Sequence, residues 1–179
     1  MPIKVPKIAH GTLHQIPSAF SKYFLGFATA VGTGVAQGDS VATLGNLPGN
    51  LRARCYRNAA QSLSAGVAAK ILIDTVSFDP SSISDVATNH RITPNQAGYY
   101  SVKGQFGVTT APTIFVSIYK NGALISVGTQ GAGSSAMVAD DIYLNGTTDY
   151  VELWAYSSAN ASLAVGVTYQ NYLTVLGPF

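Results

Sequence analysis

The segment Thr113 to Gly128, TIFVSIYKNGALISVG, leaves a folding chain few choices. Ile114, Val116 and Ile118 alternate with Phe115, Ser117 and Tyr119. That period of two sends successive side chains to opposite faces of a strand. Asn121-Gly122 follow, two residues that accept the positive φ a type I′ turn requires at both central positions. A second strand-like run resumes at once, so the segment predicts a β-hairpin. Ala136 to Ser158, AMVADDIYLNGTTDYVELWAYSS, repeats the device around Asn145-Gly146. Its loop should be longer, because Thr147 to Asp149 are also turn-forming. Ala68 to Asp79 alternates from Ile71: Ile71, Ile73, Thr75 and Ser77 face one way, Leu72, Asp74, Val76 and Phe78 the other. Ser162 to Phe179 closes the chain with one or two strands. Helix signals are nearly absent after residue 50. Short strands punctuated by Gly, Pro and Asn predict an all-β sandwich.

Residues 1 to 50 have a different texture. They hold four prolines, seven glycines and only four charged side chains, Lys4, Lys7, Lys22 and Asp39. A segment this apolar does not suit a free tail in water, because disorder favours low hydrophobicity and high charge. It is expected to be an extended, mostly irregular arm lying on its own domain, a sister subunit or a larger surface. Lys4 and Lys7 ahead of Tyr23 to Ala36 loosely imitate a signal peptide. That run starts too far from Met1 and is diluted by Gly26, Gly32, Thr33 and Gly34. No stretch approaches the ~20 apolar residues of a membrane helix, so no membrane partner is expected. The start at Met1 and the end at Phe179 suggest a whole small protein.

Charge narrows the function classes further. Ten basic and eight acidic residues give a net charge of +2. A nucleic-acid binder needs a clustered basic face, and the densest basic group is only Arg52, Arg54 and Arg57. Charged residues make up 10% of the chain, against ~25% in typical soluble domains. Much of the surface is therefore expected to be interface. Cys55 is the single cysteine, which excludes an intrachain disulfide and a Cys-rich zinc site. It reads as a small buried apolar residue.

Catalytic and metal-binding constellations are scarce. The chain has no G-x-S-x-G elbow, Gly-rich phosphate loop or H-E-x-x-H. His10 and His14 have i, i+4 spacing, but Gly11 and Pro17 oppose a helix there. His90 reads as a loop residue. Asp140 and Asp141 are adjacent, so in a strand they point to opposite faces. Asp74, Asp79 and Asp85 fall near the first loop without fixing the six to eight oxygens calcium needs. Glu152 shares a strand face with Tyr150, Trp154 and Tyr156. An aromatic face with a carboxylate suits either a sugar or a subunit interface, and the interface is favoured. Asn145-Gly-Thr and Asn160-Ala-Ser match the glycosylation sequon, but Asn145 already has a turn to make. No catalytic residue, metal or cofactor is expected.

One further stretch ties these readings together. In FDPSSISDVATNHRITPNQAGYYSV, Ile92, Pro94, Gly98 and Tyr100 stand in the order of an F-x-x-P-x-x-G-x-Y-x-F type segment, with Val102 in place of the last aromatic. Downstream come VSIYKNGALI, DDIYLNGTTDYVELWAYSS and the terminal TYQNYLTVLGPF, where Asn171 takes a glycine's place. In this order and spacing, residues 52 to 179 resemble the C1q/TNF-like jelly-roll family. The resemblance implies a jelly-roll β-sandwich over residues 51–179, following an arm of residues 1–50. It also implies a homotrimer with aromatic residues near the three-fold axis. Tyr99 and Tyr100 must point to opposite faces of the strand after Gly98. One should enter the core and the other should meet a neighbour or solvent. Tyr99, Tyr150, Trp154 and Tyr156 are the candidate interface residues.

A C1q-like jelly roll with an apolar arm and no Gly-X-Y repeat resembles bacteriophage capsid decoration (cement) and head-fibre proteins. The expected role is structural, on the capsid exterior. Ile3, Val5, Ile8, Leu13, Phe20, Tyr23, Phe24 and Phe27 would anchor the arm to the major capsid protein. A few buried aromatics outweigh a few surface salt bridges, at ~25 cal/mol per Å² of apolar area. The alternative is a tail-fibre or head-fibre module that binds a host receptor or glycan. The polar loops SSISDVATNHR and GTQGAGSSA carry no aromatic residue for that purpose. A glycan hydrolase would need a convergent carboxylate pair, and none is legible.

Overall fold

The computed structural model describes residues 51–164 and 170–179. The expected arm, with Ile3, Val5, Ile8, Leu13, Phe20, Tyr23, Phe24, Phe27, His10 and His14, lies outside the described residues. The described chain is built from strands and carries no helix. In chain order these are β1 (Leu51–Tyr56), β2 (Ser62–Leu63), β3 (Ala69–Lys70), β4 (Thr75–Phe78), β5 (Ser84–Asp85) and β6 (Arg91–Ile92). They continue as β7 (Ala97–Gly107), β8 (Thr113–Lys120), β9 (Ala123–Ala132), β10 (Ser135–Asn145), β11 (Val151–Ser157), β12 (Ala161–Ser162) and β13 (Tyr172–Gly177).

Two antiparallel sheets form the sandwich. The first runs β10-β7-β13-β1-β4 and the second β5-β6-β11-β8-β9, with β3 added alongside β11. Alternation along each strand sets what lies between them. Tyr100, Val102 and Phe106 of β7, Val138, Ile142 and Leu144 of β10, and Leu173 and Val175 of β13 turn inward from the first sheet. Ile114, Val116 and Ile118 of β8 and Val151, Leu153 and Ala155 of β11 meet them from the second. Cys55 is buried among them on β1, and burial pushes its thiol pKa up.

The hairpin expected at Asn121-Gly122 is present. Lys120 pairs with Ala123, and the two turn residues have φ of 53° and 78°. Asn145-Gly146 is a correction. β10 belongs to the first sheet and β11 to the second, so the chain crosses between sheets instead of folding back as a hairpin. Only Gly146 has positive φ, at 72°. Asn145 Oδ1 accepts hydrogen bonds from the backbone N of Thr147, Thr148 and Asp149 instead. A short amide side chain that satisfies three successive N–H groups closes a loop as firmly as a backbone turn does.

Residues 71–78 are a second correction. The expected single strand is broken between sheets: β3 pairs with β11 and β4 with β1. Ile71 and Ile73 are fully buried as the alternation required. The alternation then fails in β4, where Val76, Ser77 and Phe78 are all exposed. The crossing is fixed by Asp74. Its carboxylate accepts from Arg57 Nη1 at 2.9 Å and from the backbone N of Asn58 and Ala59.

Candidate functional site

Pro94, Gly98 and Tyr100 stand at the entry to and start of β7. Pro94 is buried in the link between β6 and β7, ahead of the strand, where its missing N–H costs no ladder bond. A Cβ on Gly98 would lie 2.3 Å from Pro178 Cβ, so only glycine lets the C-terminus close over β7. Tyr100 is fully buried, and its hydroxyl donates to Gln96 O at 2.6 Å. Burial raises its pKa to about 12. Tyr99, one residue earlier, is 57% exposed. The pair divides between core and surface as the strand period required.

The exposed face of the first sheet follows from the same alternation. Tyr99 meets Tyr143 of β10 across the ladder, ring edge to ring face at 5.5 Å and 66°. Met137 of β10 and Leu176 of β13 are also exposed. Arg54 stacks on the Tyr172 ring at 4.2 Å, a cation–π contact. Arg52 and Lys103 are exposed on the β1 and β7 part of the face, and Asp141 on the β10 part. Tyr143, Met137 and Leu176 were missed in the sequence. The signal was present, because Met137 and Tyr143 hold the odd, outward positions of a run whose even positions, Asp140 apart, are apolar.

Tyr150, Trp154 and Tyr156 lie elsewhere, on the outer face of the second sheet. The four candidate interface residues are therefore split between opposite faces of the sandwich. On the second face each ring is already engaged. Tyr156 stacks on Phe115 at 4.5 Å and 11°, and Trp154 on Tyr119 at 4.6 Å and 22°. Arg91 sits 4.1 Å over Tyr150. Rings lying flat side by side could not bring their centroids this close, so each stacked ring gives one face to its partner. Glu152 is 6% exposed. Its carboxylate accepts from Lys70 Nζ at 2.6 Å and from Trp154 Nε1 at 3.1 Å. That carboxylate clasps β3 to β11 and is turned away from solvent.

The motif asparagines converge on one carboxylate. Asp149 is 8% exposed. Its Oδ1 accepts from Asn121 Nδ2 at 2.7 Å. Its Oδ2 accepts from Asn145 N at 3.0 Å and faces Lys120 Nζ at 2.8 Å. Asn121 Oδ1 in turn accepts from Tyr150 N. The Lys120 ammonium first, then the Asn121 amide, hold the Asp149 carboxyl below its ordinary value. Gly122 completes the turn beside Asn121, and Gly146 the crossing beside Asn145. Other carboxylates serve loops: Asp79 accepts from Ile83 N, Ser84 N and Ser84 Oγ, and Asp85 from Thr88 and Asn89. Among the described residues no three of His, Cys, Asp and Glu group as a metal would require.

No family model matches the sequence, and no curated protein sequence does. Solved structures do match in fold. Eiger TNF from S. frugiperda is similar at 12% identity, over 74% of this chain and 94% of that one, with a TM-score of 0.52. Murine APRIL, in its pH 8.5 crystal structure, is similar at 15% identity, over 71% and 98%, with a TM-score of 0.51. The globular domain of zebrafish complement 1qA is similar at 9% identity, over 72% and 97%, with a TM-score of 0.50. The fold is a C1q/TNF-like jelly roll. At these identities the likeness is one of fold. What the jelly roll meets must be argued from its own surface.

Proposed function

We propose that this chain is a structural virion protein, a capsid decoration or cement protein whose chemistry is packing and assembly. In this reading residues 1–50 bind the major capsid protein, and the jelly roll projects from the capsid exterior and forms homotrimers. The observation that carries self-association is the outer face of the first sheet, where Tyr99, Tyr143, Met137 and Leu176 are 41–57% exposed. Aromatic residues and Met are enriched at interface centres, and exposed apolar side chains of this kind, interspersed here with Arg52, Lys103 and Asp141, suit an interaction site.

A second apolar group lies on the edge strand β9, with Leu124, Ile125 and Val127 about half exposed. β9 carries no charge, and β10 beside it carries only Asp140 and Asp141. Lys103 stands on β7, paired with Ala139 of β10, and Arg52 further across the first face on β1. A head-to-tail contact between such unlike surfaces gives a ring where its rotation closes. A trimer is such a ring.

Placement on a capsid rests on the plan of the chain, an apolar arm followed by a jelly roll without collagen repeats. The other reading is a tail-fibre or head-fibre module that binds a host receptor or glycan. It would use aromatic faces open to a ligand, and the rings of the second face are stacked in pairs instead. Quantitative mass spectrometry of purified virions tests the choice. A copy number comparable to the major capsid protein is expected. A few copies per particle would overturn decoration in favour of a fibre.

A further inference from the structure

One ammonium group joins the two sheets at the edge of the proposed interface. Lys120 ends β8 of the second sheet, yet its Nζ donates to the backbone O of Tyr143 in the first, at 2.8 Å. The same Nζ lies 2.8 Å from Asp149 Oδ2 and 5.9 Å from the centroid of the Tyr143 ring. The side chains of Lys120 and Asp149 are only 23% and 11% exposed. Asp149 is itself held by Asn121 and Asn145. A chain of fixed contacts thus runs from both Asn-Gly motifs through Asp149 and Lys120 to Tyr143, and from Tyr143 to Tyr99.

β10 is an edge strand, paired only with β7. An exposed tyrosine on an edge strand loses rotamer and main-chain freedom when a partner docks, and that loss weakens association. A contact made before docking removes part of it. We infer that Lys120 is a positioning residue for the self-association surface: it fixes the main chain and ring of Tyr143, and so holds the Tyr99–Tyr143 pair in the pose a second copy meets. This rests on the self-association proposed above.

The test is a double-mutant cycle on the full-length chain, read as the association constant from sedimentation equilibrium beside the melting temperature. Lys120→Met should weaken association roughly two- to tenfold. Lys120→Arg, which keeps a cation and donors, should restore most of it. In a Tyr143→Ala background, Lys120→Met should weaken association no further. If Lys120→Met does not fold, Lys120→Met combined with Asp149→Asn takes its place in both backgrounds, removing the ammonium without stranding a buried carboxylate. Equal weakening in both backgrounds would make Lys120 a purely structural residue and overturn the inference. So would a Lys120→Met chain that associates like wild type while Tyr143→Ala does not. Wild-type chain that stays monomeric, or a Tyr143→Ala chain that associates normally, would instead bring down the self-association reading and the inference with it.

Discussion

Asn171 is wholly buried and carries a polar side chain into the core. Its backbone sits at φ 52°, a conformation glycine adopts freely and asparagine tolerates better than most residues. Its Oδ1 accepts from Gly107 N at 2.8 Å, its Nδ2 donates to Ala164 O, and its own carbonyl accepts from Arg57 N. Asparagine therefore meets the backbone demand of a left-handed position and pairs two main-chain groups as well, one buried and one half-buried. Asn171→Gly keeps the backbone but strands those groups, so urea unfolding should show a loss of about 1–3 kcal/mol. None of this was legible in TYQNYL, because Gly107 is 64 residues away in sequence.

Asp149 is the second residue whose role depends on distant partners. Its carboxyl pKa is depressed in the folded protein, first by Lys120 and then by Asn121. A depressed carboxyl stabilises the fold above its unfolded value, and that contribution is lost as pH falls through the folded value. Stability should therefore drop on acidification below about pH 3.8, the ordinary carboxyl value. Asp149→Asn should be less stable than wild type near neutral pH, with the gap narrowing in acid. Melting temperatures of both proteins between pH 7 and pH 2 check this. A constant gap would mean that Asp149 acts by shape and not by charge.

At the scale of elements, two Asn-Gly pairs had opposite outcomes. Asn121-Gly122 makes the hairpin its sequence describes, because strands on both sides pair with each other and only the turn must be right. Asn145-Gly146 looks the same in sequence, but its flanking strands pair elsewhere, β10 with β7 and β11 with β8. Local pattern fixes a strand and a turn, while partner choice depends on long-range packing. The broken strand at residues 71–78 has the same cause. Glycines can be ranked on this basis. Gly122 has open space where a Cβ would go, so Gly122→Ala costs only the left-handed backbone, about 1–2 kcal/mol. Gly98→Ala must also displace Pro178 Cβ from 2.3 Å, so about 2–5 kcal/mol is expected. Denaturant midpoints of the two variants should fall in that order, and the reverse order would contradict the packing of the C-terminus over β7.

At the scale of the whole molecule, the fold class was legible and the surface only partly so. Alternation separated Tyr99 from Tyr100 correctly, because a strand has only two faces. It could not show that Tyr99 and Trp154 end on opposite sides of the sandwich, since that depends on which sheet each strand joins. Nor could it show that Trp154, Tyr156 and Tyr150 find partners within the chain. The first face carries the exposed Tyr99, Tyr143, Met137 and Leu176, and the proposed self-association is placed there. The most direct test compares Tyr99→Arg with Tyr156→Arg by sedimentation velocity of the full chain. If the first face is the interface, wild type and Tyr156→Arg sediment as trimers and Tyr99→Arg as a monomer. A Tyr99→Arg chain that stays trimeric while Tyr156→Arg dissociates would place the interface on the other sheet.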